Sequence, residues 1–119
     1  MKRYLGLMCA TALVGCVAGV RPGTAAGDAQ VVYQAESDYA AALQIAVAYR
    51  QLPRCGGAAP VCHDDKVVGQ LQVGARAASD ALHTAQSAVQ HGVASPAAIN
   101  DAINTVQAFT ALAATLKVK

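Results

Sequence analysis

The sequence predicts an all-α protein: an antiparallel three-helix bundle set behind an N-terminal signal segment. Three observations lead there. Apolar and small side chains recur at spacings of three and four along three stretches of the chain, the period of one helical face. Proline, glycine and serine separate the stretches at positions that stop and start helices. Alanine occupies 28 of the 119 positions. It is the strongest helix former but buries little area, so long helices around a modest core are expected.

The N-terminus has the plan of an export signal: a basic Lys2-Arg3, an apolar run over residues 4–14, then small residues. Leu13-Val14-Gly15-Cys16 resembles the lipobox of bacterial lipoproteins. That resemblance implies cleavage before Cys16 and acylation of Cys16, which becomes the new N-terminus. Two other readings stand beside it. Thr24 and Ala26, after Arg21-Pro22-Gly23, fit the −3 and −1 positions of an ordinary signal-peptidase site. Alternatively the apolar run over residues 4–20 stays as an uncleaved anchor, at the lower limit of the about 17–25 residues that span a bilayer. All three readings place the rest of the chain outside the cytoplasm. The first divides the chain into a lipoprotein signal peptide (1–15), a flexible tether (16–27) and a helical bundle domain (28–119).

The first helix is expected to start at Asp28 as N-cap and to run to about residue 51. Val32, Ala35, Tyr39, Ala42, Ala46 and Tyr49 lie on one of its faces. Pro53 ends it, because proline cannot continue the hydrogen-bond ladder. The second helix is expected over residues 64–91, opened by the acidic pair Asp64-Asp65 and stopped by Gly92. Its stripe comprises Val68, Leu71, Ala75, Ala78, Leu82, Ala85 and Val89. Ser95-Pro96 restarts the chain as N-cap and first helical residue. Ile99, Ala102, Val106, Phe109, Ala113 and Leu116 form the third stripe, widened by Ile103 and Leu112. Short connections between amphipathic helices imply an up-down-up bundle.

Charge narrows the function classes. Lys2 and Arg3 account for the formal net charge of +2; from Cys16 onward seven basic residues face seven acidic ones. A neutral domain has no basic stripe for a phosphate backbone, and no nucleic-acid partner is expected.

Of the four cysteines, Cys9 lies in the signal and Cys16 in the lipobox. Cys55 and Cys62 bracket Gly56-Gly57-Ala58-Ala59-Pro60-Val61. In an exported chain such a pair reads as a disulfide, here closing the corner between helices 1 and 2. By the chain-entropy estimate a ring this short contributes about 2.5 kcal/mol. A redox pair would have the Cys-x-x-Cys spacing, which six intervening residues do not match; a zinc site would need four close ligands, and only Cys55, Cys62, His63 and the following aspartates are available.

Candidate chemistry beyond the cysteines is sparse. His63 with Asp64 and Asp65 is the one cluster that could coordinate a cation, and a solvated helix start is its plainer reading. His83 and His91 are eight apart and diverge on the second helix. Glu36 and Asp38 point to different helix faces, so no carboxylate pair is set for acid–base work. No nucleophile elbow, phosphate-cradling glycine loop or Cys-x-x-Cys-His haem motif occurs. Both methionines precede Cys16, which removes thioether ligands for copper. No enzymatic activity and no cofactor are expected.

The stretch Ala48-Tyr49-Arg50-Gln51-Leu52-Pro53-Arg54-Cys55-Gly56, followed by Cys62, resembles small uncharacterised lipoproteins associated with prophages of alphaproteobacteria. The similarity covers residues 30–90 and brings no catalytic residues. It implies an envelope accessory role of phage origin, such as lysis support or exclusion of competing phage. Val17, rather than aspartate, follows Cys16, which in the enteric lipoprotein pattern implies an outer-membrane position facing the periplasm. The expectation is therefore a lipid-anchored, non-enzymatic helical module that engages an envelope protein or itself. A small-ligand or metal-binding module built on His63 is the alternative.

Overall fold

The computed structural model describes residues 25–93 and 95–116. Three helices follow in order: α1 (Ala25–Arg50), α2 (Asp65–Gln90) and α3 (Pro96–Ala114), each packed against the other two. The expected signal segment, the lipobox read at Cys16 and residues 16–24 of the expected tether lie outside the described residues.

One expectation is corrected. Asp28 does not cap α1; the helix is already under way at Ala25, and Asp28 sits in its first turn. Ala25 and Ala26 carry the highest helix propensity and give the chain no reason to break there. In the first turn a carboxylate still complements the positive end of the helix dipole. Residues 25–27, assigned to the tether by sequence, thus belong to α1.

The other boundaries fall within a residue of expectation. Asp64 caps α2, its side chain accepting from the Lys66 and Val67 backbone N–H groups. Gly92, at φ +65°, ends α2. Its N–H donates to the Val89 carbonyl, and the Val93 N–H donates to the Ala88 carbonyl. This is a Schellman closure, and its left-handed position is one that glycine adopts without penalty. Ser95 Oγ accepts from the Ala98 N–H, with Pro96 at the first position of α3.

Side-chain pairs set the helix directions. Tyr49 at the end of α1 meets Asp64 at the start of α2, while Glu36 early in α1 meets Gln86 late in α2. Those two pairings run in opposite senses, so α1 and α2 are antiparallel. Gly74 in α2 faces Phe109 and Leu112 in α3, again start against end. Up-down-up topology follows.

The core draws on all three stripes, with Ala81 of α2 buried outside its expected stripe and Val68 of that stripe left out of the core. Among the described residues, eight of its fourteen buried hydrophobic residues are alanine, among them Ala42, Ala78, Ala85 and Ala113. Such a core brings the helices close but supplies little apolar area per residue. Phe109 and Val106 are its largest fully buried side chains. Tyr39 leans on Phe109 with ring centroids 5.7 Å apart. Gly74 lets Phe109 fit: a Cβ there would stand 3.3 Å from Phe109 Cδ2. No described helix is long and apolar enough to cross a membrane.

The outer surfaces of the helices differ. Those of α2 and α3 carry mainly polar side chains and alanine, with Val73 the exception on α2. Helix α1 also turns Tyr33, Ile45 and Val47 to solvent.

Candidate functional site

Cys55 and Cys62 are joined, with Cα atoms 4.9 Å apart, in the connection between α1 and α2. The expected disulfide is present. Around it the chain from residue 51 to residue 64 is folded back on itself. The His63 N–H donates to the Pro53 carbonyl (2.8 Å), and the Cys55 N–H donates to the His63 carbonyl (3.0 Å). Those two bonds form an isolated bridge between Arg54 and His63, beside the disulfide. The tip, residues 56–60, is exposed and uncharged.

The three candidate cation ligands have other tasks. Nδ1 of His63 bonds to the Leu52 carbonyl oxygen. A carbonyl can only accept, so Nδ1 carries the proton. Nε2 faces Asp65 Oδ1 at 3.4 Å, and Arg54 Nε approaches the same oxygen at 3.6 Å. Asp64 Oδ1 accepts from the Lys66 N–H (2.7 Å) and the Val67 N–H (3.3 Å) at the head of α2. Its own backbone N–H donates to the Tyr49 hydroxyl at 2.9 Å. The Tyr49 ring stands edge-on to His63, centroids 6.3 Å apart.

His63 is thus the keystone of the corner, its side chain only 12% exposed. It links the tail of α1 through Leu52 and the disulfide loop through its backbone, and its Nε2 lies beside Asp65 at the head of α2. Among the described residues no group of three or more His, Cys, Asp or Glu is placed to hold a metal ion. The cluster read from sequence is real as a neighbourhood, and its geometry is that of a structural tie. His83 and His91 both border an open depression on α2, with Thr84 and Ser87 between them.

Sequence reasoning missed two contacts. Gln86 Nε2 donates to Glu36 Oε1 across the α1–α2 interface, and the Tyr49 hydroxyl accepts from Asp64. The partners are 50 and 15 residues apart, separations at which no local pattern reports proximity. A second feature outside the sequence reading is a shallow groove between α1 and α2. Leu43, Val47, Val68, Leu71 and Ala75 line it, with Arg50 and Gln72 at its edges.

Comparison of the chain with protein-family models, with curated proteins and with solved structures finds no match.

Proposed function

We propose that the chain is a non-enzymatic lipoprotein of the bacterial cell envelope, and that its helical domain is an interaction module. In this reading acylated Cys16 tethers the domain to the outer membrane on the periplasmic side. The observation that carries the module is the apolar surface that α1 leaves in solvent. Val47 is 48% exposed and borders the groove lined by Leu43 and Val68, while Ile45, 45% exposed, lies on another face of the helix. A bundle with so little apolar area in its core gains nothing from apolar side chains in water unless another surface covers them.

The Cys55–Cys62 disulfide supports the compartment, because such bonds persist in oxidising surroundings. The Tyr-Arg-Gln-Leu-Pro-Arg-Cys-Gly corner at residues 49–56 supports the narrower role, an accessory of prophage origin in lysis or phage exclusion. A second reading, a small-ligand or metal-binding module, keeps one observation in its favour: the imidazole Nε2 of His63 lies beside the Asp65 carboxylate.

The test is affinity capture of the full chain from crosslinked envelopes. Recovery of an envelope protein or of a self-oligomer is the expected result. Recovery of neither would overturn the module.

A further inference from the structure

One flank of α1 carries more than the bundle needs. Glu36, Ala40, Leu43, Val47 and Arg50 follow one another at steps of four, three, four and three, so they lie along a single line of the helix. None belongs to the buried core: Glu36 and Leu43 are half-buried, and Ala40, Val47 and Arg50 are exposed. Leu43 and Val47 border the groove against α2. The same two side chains border a second depression on the other side of the line, shared with Ala40 and Gln44. An apolar ridge with a groove on each side is the surface form that interlocks with a second helix.

The ends of the ridge carry opposite charges, an acid at Glu36 and a base at Arg50. Fourteen residues separate them, about 21 Å along the axis, so they cannot pair within one chain. Glu36 is held in place by Gln86 through Oε1, which leaves its other oxygen for a partner.

We propose that this ridge is where two copies of the chain meet, α1 against α1, antiparallel about a two-fold axis at Leu43. In that register Leu43 faces its own copy and Ala40 faces Val47 of the second copy. Glu36 faces Arg50, twice over by symmetry. A parallel pairing would also stack Leu43 on Leu43, but it would set Glu36 on Glu36 and Arg50 on Arg50. Only the antiparallel arrangement makes both ends attractive. With seven basic and seven acidic residues from Cys16 onward, the domain imposes no net repulsion on a second copy.

This inference rests on the reading of the domain as an interaction module and names its partner. Its test is the mass of the full chain in detergent, measured by sedimentation across a dilution series, for the wild type and for Glu36→Arg, Arg50→Glu and the double swap. The expected result is a wild-type dimer, a Kd raised about tenfold by either single swap through two like-charge contacts, and recovery in the double swap. Since the two positions cannot touch within a chain, only contact between copies can produce that recovery. Loss of the Gln86 bond is common to Glu36→Arg and the double swap, so it cannot mimic the pattern. A monomeric wild type, an indifferent single swap or a double swap as weak as the singles each overturns the dimer. A monomeric chain that still captures an envelope protein overturns this interface and leaves the module standing; a monomer that captures nothing overturns both.

Discussion

The two ends of the bundle are closed by opposite means. Between α2 and α3 the five residues 91–95 suffice. Gly92 takes the left-handed turn, two backbone bonds seal the end of α2, and Ser95 caps α3. Between α1 and α2 the connection is the fourteen residues 51–64. A covalent bond, the His63 link to Leu52 and the Tyr49 link to Asp64 hold it. Loop-closure entropy makes the longer connection costlier by roughly 1 kcal/mol. A short turn can be specified by its own backbone. A long one needs ties between residues distant in sequence, and here these are the disulfide, the His63 side chain, only 12% exposed, and the Tyr49 hydroxyl.

Removing the disulfide is the harshest way to break that contrast. The paired variant Cys55→Ser/Cys62→Ser is expected to lose about 2.5 kcal/mol in denaturant unfolding, a large share of the stability of a domain whose core is mostly alanine. Added dithiol reductant should lower the wild type to the same midpoint and leave the serine variant where it is. An unchanged midpoint in the serine variant would mean that the hydrogen bonds alone hold the corner.

The contrast between the ends also marks what was legible in the sequence. The α2–α3 turn could be read residue by residue, because Gly92, Ser95 and Pro96 act on their immediate neighbours. The disulfide was legible because only two cysteines follow Cys16. The helical stripes gave the core, since Ile99, Ala102, Val106, Phe109 and Ala113 are all buried as their spacing implies. The start of α1 was misjudged because a good capping residue, Asp28, stands just inside a segment that alanine had already made helical. The task of His63 was out of reach. Its bond goes to a backbone carbonyl eleven residues away, and every residue type offers a carbonyl. The ridge on α1 was hidden for another reason. Its members share a helical spacing with the core stripe, and only burial tells the two faces apart.

His63→Ala sharpens the comparison at the next level. Losing the link to Leu52 and the packing on Tyr49 is expected to cost about 1.5 kcal/mol. The informative measurement is the same substitution in the disulfide-free background. If disulfide and histidine act on one loop, the cost there should shrink by at least about 0.5 kcal/mol. Full additivity would separate them and leave the corner as two independent fastenings.

Ser95→Ala probes the opposite end and should behave otherwise. The serine hydroxyl accepts from the Ala98 N–H at 3.3 Å, a part-buried bond that satisfies one donor at the head of α3. Its removal is expected to cost about 1 kcal/mol, the usual worth of a serine N-cap. The α2–α3 turn shares no partner with the disulfide corner, so the same cost should return in the Cys55→Ser/Cys62→Ser background within about 0.5 kcal/mol. The smaller effect thus tests whether the two closures are separate devices. Coupling here as strong as that at His63 would mean that the thin core transmits strain along the whole of α2, and the division between a backbone-specified end and a cross-linked end would fail.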